Sequence, residues 1–103
     1  MNYKKNLELC REIIGKSRTI AISGHINPDG DSLGSLLSLG LGLKKLKKTV
    51  YMISADRIPG RYRGLPGAGD VIVYTRKKCD LAIAVDCGSK ELLGNTYKVF
   101  KRA

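Results

Sequence analysis

The spacing of apolar positions changes along this chain. Leu7, Leu9, Cys10, Ile13 and Ile14 recur at roughly helical intervals and Gly15 follows the last of them, so residues 3–16 are predicted to be an amphipathic helix with Gly15 as its C-cap. Residues 19–23 (TIAIS) form a short, nearly continuous apolar run ended by Gly24, the pattern of a strand buried on both faces. Residues 81–85 (LAIAV), ended by Asp86, Cys87 and Gly88, repeat it. Between them, residues 31–46 read as a helix capped by Asp31 or Ser32, with Lys44, Lys45, Lys47 and Lys48 at its C-terminal end, and residues 50–54 as a second strand. Two buried strands that end in Gly and Asp predict an α/β fold with a parallel sheet, in which ligands bind outside the carboxyl ends of the strands.

Gly34, Ser38 and Gly42 lie four apart in the second helix, a stripe without bulk that is expected to let the helix lie close against the sheet. Residues 58–70 (IPGRYRGLPGAGD), with two Pro-Gly turns, read as a loop with room for one helical turn and as the most mobile part of the chain. Residues 71–74 are strand-like, and residues 95–102 are expected to form a final helix. No repeat is visible.

With 103 residues, 43% hydrophobic and 27% charged, the composition allows one domain or part of one and excludes a disordered or disulfide-stapled chain. The uncharged run at residues 32–43 is much shorter than the roughly 18–20 residues a membrane helix needs. The basic start of the chain lacks an apolar signal core, so the cytoplasm is the expected location. Cys10, Cys79 and Cys87, an odd number at wide spacing, are read as reduced structural thiols. The net charge of +10 is concentrated: residues 44–63 hold seven basic side chains against Asp56 alone. Such a field favours nucleic acid, nucleotide or polyphosphate, against the ordinary alternative of a solvated lysine-rich surface.

The chemistry is concentrated in residues 24–35, GHINPDGDSLGS, which place His25, Asp29 and Asp31 directly after a buried strand and then begin a helix. Carboxylates with an imidazole form a donor set that Mn²⁺ accepts, and a helix N-terminus offers amide donors to a phosphate. Asp86 ends the other buried strand and is expected at the same sheet edge. Each residue also has an ordinary structural reading, as a turn, an N-cap, an Asx turn or a packed histidine. What sets them apart is that three of only nine acids and the sole histidine fall at two strand ends that a parallel sheet brings together. An EF-hand fails on spacing, since loop positions 5 and 12 counted from Asp29 are Leu33 and Gly40, and there is neither a GxxxxGK[ST] nor a GxGxxG sequence.

GHINPDGDSLGS, followed about 50 residues later by DLAIAVDCG, resembles the first two motifs of the DHH family of phosphoesterases, which includes RecJ-like exonucleases; the nearest group is the short-oligoribonucleotide hydrolases that also dephosphorylate phosphoadenosine phosphate. The resemblance implies a Rossmann-like three-layer domain and a pair of Mn²⁺ ions at the carboxyl edge. His25, Asp29 and Asp86 would hold one ion, and Asp31 with a bridging Asp86 the other, with Asp29, Asp31 and Asp86 as the catalytic carboxylates. It further implies hydrolysis of short RNA or nucleotide phosphates by two-metal activation of water. The sequence departs from the family's pattern in having no Asp-His-His motif, its one histidine being His25, and no second substrate-binding domain. Residues 1–103 therefore read as the amino-terminal portion of a longer enzyme, inactive alone and weak in metal binding. An apolar edge left open after residue 85, with Leu92, Leu93, Val99 and Phe100 as contacts, is expected to favour a homo-oligomer. The alternative is a non-catalytic basic nucleotide- or RNA-binding module, although the six aromatic residues show no clustered stacking pattern.

Overall fold

Thr19–Ser23 (β1) is the middle strand of a three-stranded parallel sheet of order β2-β1-β3, flanked by Thr49–Ile53 (β2) and Leu81–Ala84 (β3). Tyr3–Lys16 (α1) precedes β1, and Gly30–Lys45 (α2) connects β1 to β2. The structure is a computed structural model that describes residues 3–24, 30–54, 56–73, 75 and 77–85, with the side chain of Asp31 left out. The expected final helix at 95–102 and the expected contacts from Leu92 to Phe100 lie outside those residues. Among the described residues no helix is long and apolar enough to cross a membrane.

The burial of β1 follows its composition. Ile20 and Ile22 point to one face with Leu33, Leu36, Leu37 and Leu43 of α2 and Met52 of β2, while Ala21, Ile53 and Cys79 form a smaller cluster. Fully burying each large aliphatic side chain contributes roughly 1.5–3 kcal/mol, so the α2–sheet layer is the main source of cohesion here. β3 is less covered than its apolar run suggests: Leu81, Ala82 and Ile83 are half-buried and Ala84 is exposed. Its one strand partner among the described residues is β1.

Four local expectations are corrected. α2 begins at Gly30, so Asp31 and Ser32 lie inside its first turn and neither is the N-cap. Gly15 does not cap α1, which runs on through Lys16; the helix end is satisfied instead by the Lys48 ammonium, which donates to the carbonyls of Gly15 (3.2 Å) and Ser17 (2.7 Å), and by the Ser17 hydroxyl donating to Ile13 O (2.7 Å). With its last carbonyls met from outside, the helix needs no left-handed glycine. The stripe of Gly34, Ser38 and Gly42 faces solvent, and a Cβ on either glycine would meet nothing within 4 Å. The glycine that admits the sheet is Gly40, buried against Met52. Finally, residues 71–74 contribute a single parallel bridge, Ile53 to Ile72, made by Ile72 N donating to Met52 O (2.9 Å) and Ser54 N to Ile72 O (2.8 Å). Ile72 and Val73 are exposed, so no buried face extends the pairing.

α1 is amphipathic in sequence but none of its residues is buried; Leu7, Leu9 and Ile13 are about half exposed, and Ile14 alone packs against the main core. Cys10 is exposed on this helix, against the expectation of a structural thiol, whereas Cys79 is buried and free. Cys87 lies outside the described residues. The segment 58–70 is also more anchored than expected: Ile58, Tyr62 and Ala68 pack on the core, and Gly67, at φ 84°, sits against Leu41 and Leu37.

Candidate active site at the sheet switch point

The chain leaves β1 for β2 on one side and later places β3 on the other, which makes the gap between the carboxyl ends of β1 and β3 a topological switch point, where open α/β sheets bind ligands. Ser23 is paired with Ala84, and Val85 N donates to Ser23 O (2.9 Å), so the two strands end level. A Cβ placed on Gly24 would stand 3.4 Å from Ser32 Cβ and 3.6 Å from the carbonyl oxygen of Val85. The end of β1, the first turn of α2 and the end of β3 therefore meet at one point. Ser23 and Ser32 are buried there, with the Ser23 hydroxyl donating to Gly24 O (3.1 Å).

The sequence-derived site residues attach to this frame. Gly24 precedes His25, Gly30 follows Asp29, Asp31 belongs to the first turn of α2, and Val85 precedes Asp86. His25, Asp29 and Asp86 lie outside the described residues, as does the side chain of Asp31. Among the described residues no group of three His, Cys, Asp or Glu side chains could hold a metal ion. The donor set named by the sequence is one imidazole and three carboxylates, a combination that suits a divalent cation.

Strand direction separates the two acids that bracket β3. Asp80, at the amino edge, accepts the backbone N–H groups of Arg18 (2.8 Å) and Thr19 (3.1 Å). Those hydrogen bonds, first that of Arg18, hold its carboxyl below the ordinary value. Asp80 thus ties the start of β1 to the start of β3 and stands at the opposite edge from the switch point. Burial, and secondarily the Asp80 charge, pushes the neighbouring Cys79 thiol up.

Sequence reading assigns no site role to the individual residues of the segment after β2. Tyr62 leans over the start of α2, where a Cβ on Gly30 would lie 3.5 Å from its hydroxyl oxygen, and the Arg61 guanidinium stands 4.7 Å over the Tyr62 ring centroid. A cavity of about 350 Å³ opens beside it at the carboxyl end of β2, lined in part by Ser54, Arg57 and Arg63. The available signal was the recurrence of Ile58, Tyr62, Ala68 and Val71 at intervals of three to six, masked by the Pro-Gly turns.

Comparison with known proteins agrees with this architecture. A crystal structure of an exopolyphosphatase-related protein from Bacteroides fragilis superposes with a TM-score of 0.81 at 22% identity, over 94% of this chain and 31% of that one. The present chain thus spans about a third of that protein's length. No curated protein matches the sequence. Residues 19–102 match the DHH family, N-terminal domain. On that match over most of its length, the chain belongs to the DHH family and carries its N-terminal domain.

Proposed function

We propose that this chain supplies the first part of the active site of a manganese-dependent phosphoesterase acting on short oligoribonucleotides or nucleotide phosphates. The observation that carries the reading is the level, parallel ending of β1 and β3 at the switch point, with GHINPDGDS following one strand and DCG the other. His25, Asp29 and Asp86 would hold one ion and Asp31 with Asp86 a second. When bound, such ions supply Lewis acidity toward the phosphate and a water of lowered pKa. The chain's own part is to fix the carboxylates on two paired strands and to aim the first amides of α2 at an anionic phosphate. The net charge of +10 raises the local concentration of an anionic substrate as a whole-chain effect. The name of the Bacteroides protein adds polyphosphate as a competing substrate class.

In this reading the 103 residues alone bind Mn²⁺ weakly and do not turn over, because their sequence contains no Asp-His-His motif. Titration of Mn²⁺ followed by electron paramagnetic resonance tests the site: Asp29→Asn and Asp86→Asn should each weaken binding, and unchanged binding in both variants overturns the assignment. Hydrolysis of short RNA or phosphoadenosine phosphate by the purified chain, lost in Asp86→Ala, would overturn the inactivity. The net charge of +10 favours a second reading, a non-catalytic nucleotide-binding module, which predicts RNA binding indifferent to Asp29→Asn and Asp86→Asn.

A further inference from the structure

The cavity at the end of β2 carries two arginines for which the site at the switch point has no use. Ser54 directly follows β2 and stands level with Gly24, so the cavity opens on the same sheet edge as the motif loop, one strand away. Arg57 and Arg63 both line it and are exposed, and among the described residues neither guanidinium is in an ion pair. Among its described lining residues Asp56 is the one acid, so the wall carries an excess of positive charge. Ile58, Val71 and Ile72 supply an apolar floor. The backbone is held in place: Ser54 Oγ donates to Asp56 O (2.6 Å), Ile72 is bridged to β2, and Ile58 and Val71 pack on the core. At about 350 Å³ the space lies at the small end of ligand sites and accommodates one phosphate group with part of what it is attached to.

We infer that this cavity is an accessory anion position, in which Arg57 and Arg63 hold a phosphate of the substrate other than the one being cleaved. The inference rests on the proposed phosphoesterase reading for its purpose but not for its chemistry. Planar guanidinium groups present paired donors to phosphate oxygens, and two of them on one wall suit a dianionic or bridging phosphate better than a lone lysine would. The Tyr62 contact with the start of α2 makes the segment that carries Arg57 and Arg63 continuous with the motif loop, so a substrate of two or more phosphates could reach both places. A single-phosphate ligand could occupy only one of them. The shared chemistry, a row of phosphates, occurs in a dinucleotide and in an inorganic polyphosphate, and the apolar floor distinguishes the two by offering contact to a nucleoside.

The test is calorimetric titration of metal-free protein with tripolyphosphate, the dinucleotide pApA and orthophosphate, in wild type, Arg57→Gln/Arg63→Gln and Lys45→Gln/Lys47→Gln. The lysine pair removes the same charge at the far end of α2 and away from the cavity. Loss of charge-assisted contacts should weaken tripolyphosphate and pApA at least about tenfold in the arginine variant, with little change in the lysine variant. Tighter binding of pApA than of tripolyphosphate would assign the floor to a nucleoside; the reverse order would assign the cavity to polyphosphate. Unchanged affinity in the arginine variant, equal weakening in the lysine variant, or no binding by wild type at millimolar ligand overturns the inference. Mn²⁺ titration of wild type, Asp29→Asn and Asp86→Asn reads the metal site separately: loss of the phosphoesterase reading appears there, as indifference to both substitutions, whatever the arginine variant does.

Discussion

Gly40 of α2 and Met52 of β2 meet without room for a methyl group between them: a Cβ on Gly40 would lie 2.7 Å from Met52 Cγ and closer still to its Sδ. Met52 is buried, so it cannot swing out into solvent. Gly40→Ala gains about 1 kcal/mol of helix propensity but forces overpacking that costs about 1–3 kcal/mol, and the net expectation is destabilisation by about 1 kcal/mol. Gly34→Ala and Gly42→Ala, both facing open space, should each stabilise by about 0.5–1 kcal/mol. Urea midpoints of the three variants decide it, and the same sign at all three positions would contradict this packing.

Lys47 holds a left-handed conformation (φ 63°) at the end of α2, where Lys48 N donates to Leu43 O (3.3 Å) and Lys47 N to Lys44 O (2.9 Å). That is the hydrogen-bond pattern of a Schellman motif with a lysine where glycine is preferred. Relief of the Cβ penalty, less the added freedom of the unfolded chain, should make Lys47→Gly more stable by about 0.5–1 kcal/mol, read as a rise in thermal midpoint.

The carboxyl of Asp80 is held below its ordinary value by the N–H groups of Arg18 and Thr19. A group whose value falls on folding adds stability above its unfolded value, and that stability is lost as pH drops through the folded one. Wild type should therefore exceed Asp80→Asn in stability at neutral pH, with the gap closing as pH falls below about 4. Denaturation of both proteins between pH 7 and pH 2 measures it; a constant gap would contradict the assignment.

Thiol labelling should separate the cysteines. Cys79 is buried, with its thiol pushed up by desolvation and by Asp80, so iodoacetamide at pH 8 should modify it far more slowly than exposed Cys10. Peptide mapping by mass spectrometry follows each site; equal rates at the two would mean that the β3 end opens readily.

The parallel sheet is legible in the sequence because TIAIS and LAIAV are nearly continuous apolar runs without the alternation of a one-sided strand, although β3 proves only half-buried. The switch point is legible because two such strands run parallel and end level, and the motif residues His25, Asp29, Asp31 and Asp86 follow them in sequence, while the placement of those side chains lies outside the described residues. The orientation of α2 is not legible: Gly34, Gly40 and Gly42 are identical as letters, and only the placement of Met52 opposite one of them decides which is needed for packing. Nor is the anchoring of segment 58–70, where Pro-Gly turns signal a loop locally while Ile58, Tyr62 and Ala68 find distant partners on α2 and the sheet. The exposure of α1 has the same origin, since an apolar stripe states that a surface is available and not what will cover it.

The central position of β1 sets the order in which the sheet can be assembled. Its partner at Thr49 is synthesised within one helical crossover, whereas its partner at Leu81 arrives after about twice the chain length. Closing the longer loop costs only about 0.6 kcal/mol more, so the equilibrium hardly notices. A ribosome does, because at about 5–20 residues per second the wait between completing β2 and completing β3 is of the order of a few seconds. Throughout that interval the most deeply buried of the described strands can be sealed along one side only, with the backbone groups of Ala21 and Ser23 that β3 will take still open to any passing strand.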